Sequence, residues 1–278
     1  MVRSAVIAVI SVLFAASAMA QEQPAASLDQ GYRDMYNLDF NAAHQVFTAW
    51  ENTHSDDPLG PVSNAAAYLF AEFEHLHVLE SELFTDDAKY EERAKPTPDP
   101  NQKQAFESEL ARADRLASDI LRRDPNNADA QFAQVLALGL RGDYAALVEK
   151  RDMLGLSYMK KGRVLAEHLL QTYPNYYDAY LAVGIENYLL SLKPAPARWV
   201  LRITGAETDK QVGLEKLRLT AEKGHYLLPY ARLLLAVAAL RDNNREQARS
   251  ILEGLAREFP SNRLYAKELA KLQTARLH

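Results

Sequence analysis

Apolar side chains return every three or four positions along most of this chain, the spacing that gathers them on one face of an α-helix. The stretch "LPYARLLLAVAALRDNNREQARSILEGLAREFPSN" is the clearest case. Pro229 suits a first helical turn, Leu233, Val237 and Leu240 follow at helical spacing, and "RDNN" interrupts the pattern. A second stripe of Ala248, Leu252 and Leu255 then runs up to Pro260. Small residues at Ala236 and Ala248 would let two antiparallel helices approach closely. Strand signals are weak, with no good run of alternating β-branched residues and no Asn-Gly or Asp-Gly hairpin turn. The pattern predicts an all-α fold with helix breaks near Pro58, Pro125, Pro174, Gly205, Gly224 and Pro260.

Several segments carry more specific expectations. "GPVSNAAAYLF" offers Ser63 as an N-cap, and no proline follows until Pro96, so one helix is predicted over 64–84. Leu69, Phe70, Phe73, Leu76, Leu83 and Phe84 share its buried side, and Glu80 projects awkwardly into that stripe. Residues 85–104, "TDDAKYEERAKPTPDPNQKQ", read as an exposed polar loop between an N-terminal helical group (21–84) and a main array (105–278). In "LSLKPAPARWVLRITGAETDKQ" a short helix over 194–204 ends at Gly205, with Trp199 and Ile203 on one side and Arg198 and Arg202 on another. A helix of roughly nine residues has little membrane affinity, so its tryptophan is expected to pack into the array rather than onto a bilayer. In the last helix, "NRLYAKELAKLQTARLH", Asn262 serves as cap and Tyr265, Leu269 and Leu272 form a stripe that should cover the apolar end of the array.

Composition adds a compartment. "MVRSAVIAVISVLFAASAMA" has a basic start at Arg3, a short apolar run and the small-x-small ending Ala18-Met19-Ala20, which predicts a signal peptide over 1–20 cleaved before Gln21. The run is too short for a spanning helix, which needs about 20 apolar residues, so no stable membrane insertion is expected. The protein is then exported, to the periplasm or beyond. It has no cysteine, hence no disulfide framework and no thiolate metal site. With 48% hydrophobic and 25% charged residues the chain can rely on an apolar core instead. Formal charge is −5 and no Lys/Arg-rich run is present, which argues against nucleic acid as a partner.

The paired helices resemble the tetratricopeptide repeat, a helix-turn-helix unit of about 34 residues. Its pattern is matched by Ala236, Ala248, Leu252 and Pro260 in the stretch quoted above. It is matched again by Gly31, Phe40, Ala43 and Phe47 near the N-terminus, with Ser55 in place of the closing proline. Ala113, Ala117 and Pro125 fit a third copy, and Pro174, Tyr180 and Gly184 a fourth. The alternative is a non-repeating helical bundle. The resemblance implies a solenoid of antiparallel helix pairs whose concave surface holds a protein or peptide partner. Its groove-facing places fall on Tyr32, Tyr36, Phe132, Tyr188, Tyr230 and Arg241. In that register Tyr188 should be partly exposed on the concave side and Tyr180 buried at a packing place.

The other candidate chemistry is a metal site. "LFAEFEHLHVLESELF" holds two Glu-x-x-His pairs, Glu72 with His75 and Glu74 with His77, and the spacing recurs at Glu51 with His54 and at Glu222 with His225. Residues i and i+3 share a helix face, as in di-iron bundles, but such centres need two pairs and two further glutamates converging. His75 and His77 would lie about 160° apart on one helix, so a single metal could not take both from it. A largely solvated face is the expectation, with no metal and no cofactor. No H-E-x-x-H, G-x-S-x-G, phosphate-cradling or dinucleotide motif is present. The leading functional expectation is a non-catalytic exported scaffold, and the alternative is a metal-dependent enzyme carrying Glu72, His75, Glu74 and His77.

Overall fold

The computed structural model describes residues 26–79, 85–193, 195–203 and 205–274. The expected signal peptide over 1–20, and the expectations for Glu80, Leu83 and Phe84, lie outside the described residues. The rest is helical, with no strand among the described residues. In chain order the helices are α1 (Leu28–Tyr36), α2 (Phe40–Thr53), α3 (Leu59–His75), α4 (Asp87–Glu92), α5 (Pro100–Leu121), α6 (Ala128–Asp143), α7 (Asp152–Thr172), α8 (Tyr180–Ser191), α9 (Ala195–Ile203), α10 (Lys210–Lys223), α11 (Leu228–Arg241), α12 (Arg245–Glu258) and α13 (Arg263–Thr274). All six expected breaks fall between helices or at a helix end. No helix among the described residues is long and apolar enough to cross a membrane.

Each main helix packs on the next: α1 on α2, α2 on α3, α3 on α5, and so on to α12 on α13. The small residues singled out in the sequence sit at these contacts. Ala43, Ala117, Ala236 and Ala248 are buried, and a Cβ on Gly31 would lie 2.3 Å from the Phe47 ring, so α1 rests directly on α2. Two helices stand outside this sequence of contacts. α4 is one, and α9 is the other, bridging α8 and α10, which pack on each other directly. Trp199 and Ile203 of α9 are each 67% exposed, so the tryptophan does not pack into the array as expected. α9 is only nine residues long, and its Arg198 donates to Ser191 O at the end of α8 (3.0 Å).

Two boundaries also differ from the sequence pattern. α3 begins at Leu59, not after Ser63, because Pro58 starts the turn and Asp57 accepts the Leu59 N–H (2.9 Å). Ser63 lies inside the helix, fully buried, donating to the Tyr32 hydroxyl (3.0 Å). The helix then stops at His75 rather than continuing to residue 84. His77 takes φ +56, its N–H bonds to Glu74 O, and the Val78 N–H reaches back to Phe73 O (3.0 Å). This is a Schellman stop with histidine where glycine is usual. Residues 85–104 are loop only in part: Asp87–Glu92 form α4, 93–99 carry no helix, and α5 starts at Pro100. Asp99 caps α5 while its own N–H donates to the buried Glu72 (3.0 Å).

The array closes on itself. Tyr36, at the end of α1, donates from its hydroxyl to Tyr226 O (2.9 Å), and its own carbonyl accepts from Asn262 Nδ2 (2.8 Å). Tyr32 stacks on Tyr226 with ring centres 4.6 Å apart, and Tyr36 meets Phe259 at 5.5 Å. Asn262 also caps α13 through the Leu264 N–H (3.0 Å), so one buried side chain both starts the last helix and ties it to the first. α13 therefore does more than cover an apolar end.

Replacing Asn262 with alanine leaves the buried Tyr36 carbonyl without a donor and should lower the unfolding free energy by about 1–3 kcal/mol. Removing the exposed Arg263 side chain, which pairs with Glu74 beside it, should change stability by less than about 1 kcal/mol. Urea titrations of the two variants compare the effects, and equal small losses would show that the closure does not hang on Asn262.

Candidate functional site

The closure surrounds an apolar pocket with a volume of about 80 Å³. Tyr32, Met35 and Tyr36 of α1 and Phe70 of α3 form one side, and α7, α8 and α11 contribute Met159, Ile185 and Tyr230. The remaining wall is α6. Asn127 caps that helix through the Ala130 N–H (3.0 Å), which sets its register. Phe132, Leu136, Gly139 and Asp143 then recur at steps of three and four on the face turned to the pocket. Gly139 is exposed, and a Cβ built there would meet nothing within 4 Å. A mid-helix glycine is about 1 kcal/mol less favourable than alanine, and no close packing explains this one. Its place is open space in the pocket.

At Asp143 the helix changes gauge. The next residues, Tyr144–Val148, form a π-helical turn, a geometry that often marks functional positions. Arg93 donates to the carbonyls of Ala146 and Leu147 from outside, both at 2.7 Å. Asp143 is half-buried, and what it exposes opens on the pocket. Burial pushes its carboxyl up to about 7, and the Tyr230 hydroxyl donates to Oδ2 only at 3.4 Å. The second carboxylate of the lining, Asp178, is differently placed. It accepts the backbone N–H groups of His225 (2.9 Å), Tyr226 (3.0 Å) and Leu227 (3.1 Å), capping α11 from another helix.

Of the residues expected to face a groove, Tyr32, Tyr36, Phe132 and Tyr230 line this pocket. They are not exposed on an open surface, because the head-to-tail contact covers it. Tyr188 and Arg241 lie elsewhere. Tyr188 is only 4% exposed, while Tyr180 is merely half-buried and donates to Pro174 O (3.2 Å), the reverse of the expected pair. The reason is Gly213: a Cβ there would fall 2.5 Å from the Tyr188 backbone nitrogen. α10 thus lies directly over Tyr188, whose hydroxyl is pushed up to about 12 by burial. Arg241 ends α11 beside Asp242, which pairs with Lys210 at 2.5 Å, away from the pocket.

The Glu-x-x-His residues do not come together. Glu72 is buried at 3% exposure, not solvated, because it holds the start of α5. Glu74 pairs with Arg263, and both His75, the last residue of α3, and His77 beyond it are exposed. Glu51 is buried against Arg112, while His54 stacks on Trp50. Among the described residues no three His, Cys, Asp or Glu side chains are grouped to hold a metal. Sequence reasoning missed Gly139 and Asp143, although two glycines in the one helix "ALGLRGD" were a usable signal. No family model, no curated protein and no solved structure matches this chain.

Two measurements test the site's description. Gly139→Ala should raise stability by about 0.5–1 kcal/mol, since it restores helix propensity without a clash. The unfolded Asp143 releases its proton near pH 4 and the folded one near 7, so the folded state binds more protons between these values and stability falls as pH rises through the window. Asp143→Asn should flatten part of that slope and be the more stable protein above pH 7. Other carboxyls raised by burial keep the remainder, among them Glu109 (to about 7), Glu51, Glu72, Asp178 and Glu186. Denaturation curves at pH 5 and pH 8 that give wild type and Asp143→Asn the same difference would contradict this.

Proposed function

We propose that this chain is an exported, non-catalytic scaffold of tetratricopeptide-like helix pairs. It binds a protein or peptide by taking an apolar side chain of the partner into the pocket on its concave side. The observation that carries this reading is the preformed pocket, walled by Tyr32, Tyr36, Phe132 and Tyr230 and left open at Gly139. Aromatic walls supply contact area at small entropic cost. Size favours an anchor over a whole ligand. The volume of about 80 Å³ is roughly half of the ~150 Å³ that admits benzene, enough for the end of one side chain. The rest of the partner would lie outside it, across the mouth.

Selection from a random peptide library on the full chain is expected to enrich sequences sharing one apolar position. Gly139→Leu, which fills the pocket from a helix face with room for it, should weaken the selected peptides at least tenfold. Tyr188→Phe, on a residue away from the pocket, should leave them unchanged. Peptides that bind Gly139→Leu as well as wild type would place recognition elsewhere.

A further inference from the structure

The pocket wall is uneven in charge. Its lining includes two carboxylates, Asp143 and Asp178, and no lysine, arginine or histidine. Asp178 is fully engaged by three backbone N–H groups. Asp143 has one long hydrogen bond, from Tyr230, and sits at the C-terminal end of α6, where the helix dipole already disfavours an anion. Two cations that adjoin lining residues in the chain, Arg141 beside Gly142 and Arg163 beside Gly162, are committed. Arg141 pairs with Asp114 at 2.5 Å, and Arg163 pairs with Glu186 at 3.1 Å and Glu167 at 2.7 Å. Beside Asp143 stands the Tyr230 ring, edge-on to Phe70 with centres 5.4 Å apart, and such aromatic faces attract an ammonium. A carboxylate lodged among apolar walls is stabilised most by a cation that arrives with its own hydrocarbon.

Resting on the reading of the pocket as a binding site, we infer that its ligand group is a primary ammonium joined to a short apolar chain, paired with Asp143. A peptide can present that chemistry in two ways. One is the free α-amino group of an apolar N-terminal residue, and the other is a lysine side chain inserted stem-first.

Titration calorimetry of the full chain with isobutylammonium and its neutral isostere isobutanol tests the inference. Wild type should bind the ammonium at least tenfold more tightly. Asp143→Asn should erase that preference while keeping isobutanol binding, and Gly139→Leu should lose both. Equal binding of the two probes to wild type overturns the ammonium inference and leaves the pocket reading standing, and this holds even if Asp143→Asn proves poorly folded. Binding of neither probe overturns both. Leucine amide and N-acetyl-lysine amide then separate the sources: tighter binding of the first assigns an N-terminal residue, and of the second a lysine.

Discussion

Everything inside this array depends on a contact between its two ends. The hydroxyl and the carbonyl of Tyr36, in the first helix, are both satisfied by residues from the last quarter of the chain, Tyr226 and Asn262. Helix pairs stacked only on their neighbours would leave an open superhelix with a broad wet concave face. Tying α1 to the turn before α11 and to the cap of α13 removes that freedom. The side chains between these helices are thereby turned into pocket walls, and their aromatic rings are packed and held in one arrangement.

The pocket is supported from behind by groups with no part in its lining. Glu72 takes the N–H of Asp99 and so fixes where α5 begins. The segment just before that point carries Arg93, which satisfies two carbonyls of the π-helical turn following Asp143. A carboxylate whose spacing suggested metal chemistry is instead one end of a brace reaching to the back of the pocket. The carboxylate that faces the pocket is Asp143, poorly partnered and half-buried. A low local dielectric makes such a group costly when alone and strongly attractive to the right charge.

How much of this was legible follows from how local each cause is. Helix periodicity, prolines and small residues at pair contacts act within a few residues, so the all-α class, the breaks and the close contacts at Gly31, Ala236 and Ala248 could be read directly. Helix stops at His77 and Leu38 could not, since each takes positive φ where the usual signal is glycine. Tyr32, Tyr36, Phe132 and Tyr230, expected on a groove, line one pocket because helix register places them on facing sides. The burial of Tyr188 was not legible, because a glycine on another helix, Gly213, decides what lies over it. The closure was illegible altogether: Tyr36 and Asn262 are 226 residues apart, and nothing near either one announces the other.

The central claim is that the closed array holds a preformed apolar pocket with room for one guest group. Crystals of the protein equilibrated under xenon test it directly, since apolar cavities bind the gas without needing the natural ligand. The account predicts a xenon peak between Tyr36, Phe132, Leu136 and Gly139, absent from Gly139→Leu crystals. Wild-type crystals with no xenon at that place, and with the aromatic side chains collapsed together across it, would contradict the account.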